Sequence, residues 1–264
     1  MSIRKSAVAG YFYPDDKKLL QFTLHNLIVD ALASEKGEYT PKALIVPHAG
    51  YPYSGPVAAS AYCLLKKMSR QIKRVVLLGP AHRIPVRKIA FSSADSFETP
   101  LGLVPVDVGL RDQLIEDPGF VIDDDAHENE HSIEVQLPFL QFVLNENIKI
   151  LPAVTNMAPP DLIKHFLNLA WGGAETLMVV SSDLSHYLGY DAAQKKDQKT
   201  VRAICDFDID EIEDNDACGA SSLKGLLPLA RDKRLKPVLL DLRNSGDTSG
   251  EKDRVVGYAA FCFV

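Results

Sequence analysis

The stretch Ala43-Leu44-Ile45-Val46-Pro47-His48-Ala49-Gly50-Tyr51 joins an uninterrupted apolar run to a histidine and then a glycine. Leu44 to Val46 reads as a buried strand, and Ser54, Gly55 and Pro56 as the cap and first turn of the helix after it. His48 then lies where a strand stops and the chain turns toward a helix, the edge at which open parallel sheets bind ligands.

The arrangement recurs. Lys73 to Pro80 is a second β-branched and leucine-rich run, followed at once by Ala81-His82-Arg83. Thr176 to Val180 is another, followed by Ser181-Ser182-Asp183-Leu184-Ser185-His186. If the first two strands are parallel neighbours, His48 and His82 share one rim of the sheet.

Helical periodicity marks residues 16–34, 57–68, 159–171 and 191–207, and a Leu-rich helix opens after Ala217-Cys218-Gly219. Residues 86–106 alternate with Pro and Gly and predict a hairpin-like excursion before a helix near 107–116. Ile148 to Val154 is a further strand, and two more close the chain around the loop Asn244 to Gly250. Alternation of strands and helices with short connections predicts a single α/β domain over residues 1–264, with a mostly parallel central sheet flanked by helices.

The 264 residues are 46% hydrophobic and 24% charged, with a net charge of -6, which suits a globular protein with a substantial core. Lys and Arg are scattered, so no footprint for nucleic acid or an anionic membrane is expected. The absence of a long apolar run makes cytoplasmic localisation the expectation. Cys63, Cys205, Cys218 and Cys262 lie far apart without CxxC spacing, which signals neither a disulfide framework nor a zinc knuckle. Cys218 beside Gly219 at a helix start is either a thiol of lowered pKa or a buried, inert one.

His48, His82 and His186, each just past a strand, form the candidate site. The acidic loop Asp123 to Asp125 leads into a helix on which His131 and Glu134, three apart, would share a face. Asp183 is either part of this group or a helix cap. Two neutral imidazoles and a carboxylate leave open positions on iron(II), and a remaining histidine can move protons. The alternative is that these histidines only satisfy hydrogen bonds in the core.

The segments PHAGYPYSG, LLGPAHR, NEHSIEVQLPFLQ, SSDLSHY, ACG and SGDTSGEKDRVVGYAAF, in this order and over nearly the whole chain, closely resemble the Memo family. That resemblance implies a fold similar to class III extradiol dioxygenases, which bind non-heme iron in an α/β domain. It implies that His48 and His82 are metal ligands and that His186 acts as acid or base; beside them, Asp183, His131 and Glu134 are read from their placement as residues that orient the shell. The dioxygenase glutamate, a cysteine in animal Memo proteins, falls at Thr248. Either Asp247 takes the ligand place by a one-residue shift, or the metal is held weakly, or none binds. The missing glutamate argues against catechol cleavage itself.

The implied cofactor is Fe(II), with Zn or Cu as alternatives, and the implied partners are an AMMECR1-domain protein and a radical SAM protein. The competing reading is a non-catalytic protein that holds a peptide, a metal or a partner's loop in the same cleft, with Tyr11, Tyr13, Tyr51, Tyr53 and Tyr187 on its rim. A metal-dependent hydrolase is the third.

Overall fold

A computed structural model describes residues 2–34, 37–144, 148–248 and 250–264. Its strands are β1 (Ile3–Arg4), β2 (Ala43–Val46), β3 (Arg74–Gly79), β4 (Ile89–Phe91), β5 (Ser96–Thr99), β6 (Gly102–Pro105), β7 (Phe120–Ile122), β8 (Lys149–Val154), β9 (Thr176–Ser181), β10 (His186–Leu188), β11 (Pro237–Asn244) and β12 (Val255–Phe263). Its α-helices are α1 (Lys17–Ala33), α2 (Tyr51–Tyr62), α3 (Val108–Leu114), α4 (Asp125–Glu128), α5 (Leu137–Val143), α6 (Pro160–Leu169), α7 (Tyr190–Asp206), α8 (Ala220–Asp232) and α9 (Ser245–Thr248).

The central sheet runs β10-β12-β2-β9-β3-β8-β4-β7, with β11 on the other edge of β12. Its middle, β2-β9-β3-β8, is all parallel. Antiparallel pairs flank it, β12 on β2 and β4 on β8, so the sheet as a whole is mixed. Strands β1, β5 and β6 form a separate small sheet whose β5-β6 pair is the hairpin expected from residues 86–106, whereas β4 leaves that excursion to join the main sheet.

Each central strand feeds two cores because successive side chains point to opposite faces. Leu44, Val46, Val75, Leu77 and Val179 pack under α1, α2 and α5, against Leu24, Ile28, Val57 and Leu140. Ile45, Val76, Leu78, Met178 and Val180 pack on α6, α7 and α8, against Ile163, Phe166, Ile204 and Leu226. Burial on both faces explains why these strands read as continuous apolar runs.

Two local expectations need correction. Helix α2 begins at Tyr51 with Gly50 as its N-cap and Pro52 in its first turn, so Ser54, Gly55 and Pro56 lie inside it. Ser54 Oγ instead donates to the Ala49 carbonyl. Asn244 to Gly250 is not all loop: Asn244 ends β11 and α9 follows, while Ser249 lies outside the described residues. Among the described residues, no helix is long and apolar enough to cross a membrane.

Candidate metal centre

The parallel middle of the sheet aligns the carboxyl ends of β2, β9 and β3, from which His48, Asp183 and His82 follow. The strands carrying the two histidines are not neighbours, because β9 lies between them. Their loops nonetheless bring the His48 and His82 ring centroids to 5.1 Å.

His48 is buried, and its ring orientation follows from β9. The Ser181 hydroxyl donates to the Ser132 carbonyl at 2.7 Å and accepts from Gln136 Nε2 at 2.8 Å. Its remaining lone pair faces His48 Nδ1 at 2.7 Å, so Nδ1 carries the proton and Nε2 is left with a lone pair. Gln136 is itself held by the Tyr62 hydroxyl and by the Pro47 carbonyl, which fixes the network.

His48 Nε2 faces Cys218 Sγ at 3.1 Å. The loop carrying Cys218 is laced to the end of β9: Asp183 N donates to Sγ at 3.2 Å and Gly219 N to Ser182 Oγ at 3.0 Å. A Cβ at Gly219 would stand 2.7 Å from Ser182 Cβ, so a glycine lets the loop close this far. Burial, with Asp183 adding to it, pushes the thiol well above its ordinary value, in keeping with the buried thiol of the two readings and not with the one of lowered pKa.

His82 reaches the same point from the solvent side, its Nδ1 2.9 Å from Glu130 Oε1. Burial opposes ionisation of Glu130, yet hydrogen bonds from the His82 ring and from the His82 and Ser132 backbone hold its carboxyl well below the usual range. An ionised Glu130 is acceptor-only, so His82 Nδ1 donates to it, and Nε2 is the ring nitrogen that Glu130 does not engage. The ligand atoms of His48, His82 and Cys218 lie within 4.8 Å of one another, and so do those of His82, Glu130 and His131.

His131 stacks on His82 at 4.6 Å and meets His48 edge-on at 5.4 Å. Burial, followed by the neighbouring His82 and Arg83, lowers its pKa to about 4 against the pull of Glu130, so the ring is neutral at neutral pH. Asp183 accepts the His48 backbone N–H at 2.7 Å, and burial pushes its carboxyl up to about 7. It caps the His48 loop and not a helix. His186, on the short strand β10, pairs with Val256 of β12, whose same edge carries β2 further on. It therefore stands beyond the end of the His48 strand, exposed at the mouth and within electrostatic reach of both His48 and His82.

Three expected residues serve elsewhere. Glu134 does not share a helical face with His131, since the chain turns between them into a 3-10 segment, Glu134–Gln136. Its buried carboxylate takes the Arg4 guanidinium, the Tyr13 hydroxyl and the Ala7 and Val8 N–H groups, and so fastens the N-terminal segment to this loop. Asp247 accepts from the Tyr190 hydroxyl and from Asn244 N, and joins neither ligand group. Thr248 spends its hydroxyl on the Ser245 carbonyl.

Tyr51 and Tyr13 are core residues, the Tyr51 hydroxyl donating to the Val135 carbonyl. Of the proposed aromatic rim, Tyr11, Tyr53 and Tyr187 are exposed. Glu130, Ser181 and Gln136 were not singled out from the sequence, although Glu130 directly precedes His131 and Ser181 directly follows a strand.

The model of the Memo-like protein family matches residues 4–262. The chain belongs to that family. It is 37% identical over 276 residues to a MEMO1 family protein of Aquifex aeolicus, covering 100% of both chains. It is also 37% identical over 281 residues to one of Metallosphaera sedula, covering 98% of this chain and 99% of the relative. An uncharacterized protein of Escherichia coli K12 shares the fold, with a TM-score of 0.54 at 12% identity, over 84% of this chain and 99% of that one. This Memo-like chain thus carries its groups of candidate ligands at the carboxyl edge of an α/β sheet.

Proposed function

We propose that this Memo-like protein holds a transition metal ion through His48 Nε2, His82 Nε2 and Cys218 Sγ and uses it for redox or oxygen-dependent chemistry on a small molecule. The observation that carries this reading is the convergence of ring nitrogens of His48 and His82 and the Cys218 thiol within 4.8 Å of one another, each imidazole having its Nδ1 hydrogen-bonded from behind. Metal-binding histidines are supported in this way.

The donor set fits iron(II), copper or zinc, which accept imidazole and thiolate together. When bound, such an ion supplies Lewis acidity and, for iron or copper, electrons. The protein's own residues do the rest. Ser181 and Glu130 hold the two imidazoles, Asp183 fixes the His48 loop, and neutral His131 offers a proton acceptor on the cleft wall. His186, at the solvent edge, is placed to pass protons to water.

Anaerobic loading with iron(II), zinc(II) or copper(I), followed by exposure to dioxygen, tests the reading. Oxygen uptake by the iron- or copper-loaded protein that is lost in His48→Ala supports it. Stoichiometric zinc binding without oxygen uptake by any form moves the assignment to activation of water.

A further inference from the structure

The two imidazoles are backed unequally. His48 Nδ1 rests on a neutral hydroxyl, Ser181, whereas His82 Nδ1 rests on a carboxylate, Glu130. The Glu130 side chain is only 3% exposed. Four N–H groups converge on it: His82 Nδ1 at 2.9 Å, His82 N at 2.6 Å, His131 N at 2.8 Å and Ser132 N at 2.8 Å.

All four contacts demand an acceptor. An amide of the same shape would turn an NH2 group onto a backbone or ring N–H, so the position is built for a carboxylate. The arginines nearby are engaged with other groups. Arg4 binds the Glu134 carboxylate and the backbone carbonyls of His127 and Glu130, and Arg83 donates to the Asn129 carbonyl. Among the described residues, no lysine or arginine pairs with the Glu130 carboxylate; its Oε1 faces His82 Nδ1 at 2.9 Å and, more distantly, His131 Nδ1 at 3.3 Å.

We propose that Glu130 is the positioning residue of the site: it fixes His82 in the Nδ1–H tautomer, aims Nε2 at His48 and Cys218, and makes His82 the stronger of the two imidazole donors. The consequence for metal affinity rests on the metal-centre reading above, but the tautomer does not. An anionic acceptor behind an imidazole raises the basicity of its other nitrogen, and outer partners of this kind are typically worth about 10- to 100-fold in metal affinity.

The test is long-range 1H–15N NMR of the histidine rings in the metal-free protein, alongside cobalt(II) titration, for wild type and Glu130→Gln. The proposal expects His82 as the Nδ1–H form in wild type, a shift toward the Nε2–H form in Glu130→Gln, and cobalt affinity lowered about 10- to 100-fold in the variant. Wild-type His82 in the Nε2–H form overturns it, and so does a variant with unchanged tautomer and affinity. If wild type shows the Nδ1–H form and Glu130→Gln loses it, but neither binds cobalt, the metal reading fails and the positioning role stands. Should Glu130→Gln not fold, the wild-type tautomer still decides.

Discussion

Cys218 Sγ lies 3.1 Å from His48 Nε2, joining residues 170 positions apart in the chain. With Nδ1 of His48 committed to Ser181, Nε2 accepts, and the thiol is its donor in the metal-free protein. A divalent ion would replace that proton. Cobalt(II) bound to the wild type should therefore show a thiolate charge-transfer band in the near ultraviolet that Cys218→Ser lacks, with affinity in the variant lower by more than about 100-fold, beyond what outer partners cost. Because the thiol must lose its proton, affinity should rise with pH, and competition titrations at several pH values measure this.

Asp247→Ala should behave oppositely. Its carboxylate is held by Tyr190 and by Asn244 N and takes no part in either ligand group. The variant is expected to bind cobalt(II) within a factor of about two of wild type, given that the outer partners of a metal cost ten-fold or more. A loss comparable with that of Cys218→Ser would restore Asp247 as a ligand.

The contrast between these residues shows what was legible in the sequence. Strand ends were readable, because β2, β3 and β9 are buried on both faces and stand out as apolar runs, and His48, His82 and Asp183 follow them directly. Strand order was not, since nothing local says that β9 inserts between β2 and β3. Cys218 follows no strand. It reaches the site through long-range bonds to Ser182 and Asp183, which leave no periodic signature. Glu134 misled because a three-residue spacing implies a shared face only on a continuous helix, and the helix here starts later, at Leu137.

Glu134 should matter for stability. It is fully buried and paired with Arg4, so Glu134→Ala leaves a guanidinium without its counter-ion as well as three further donors without their acceptor. Breaking a buried pair from one side costs roughly 3–5 kcal/mol. Urea denaturation should show a loss of that size, and a loss below about 1 kcal/mol, the range of an exposed pair, would contradict the clamp.

His127 predicts acid sensitivity. It is buried with Nε2 donating to the Ala90 carbonyl, and burial lowers its pKa from 6.5 to about 4. The unfolded chain binds the proton first as pH falls, so the stabilising contribution is complete above pH 6.5 and is lost between pH 6.5 and 4. The shift corresponds to about 3 kcal/mol. Urea midpoints at pH 7 and pH 4.5 should differ more for wild type than for His127→Gln; equal differences would contradict the assignment.

The central claim is tested most directly by elemental metal analysis of the untagged protein, purified without chelator and reconstituted anaerobically with iron(II), zinc or copper, beside His48→Ala, His82→Ala and Cys218→Ala. Close to one metal ion per chain in the wild type, and loss in all three variants with the fold retained, is the predicted result. No metal above background in the wild type, or equal metal in the variants, would contradict it.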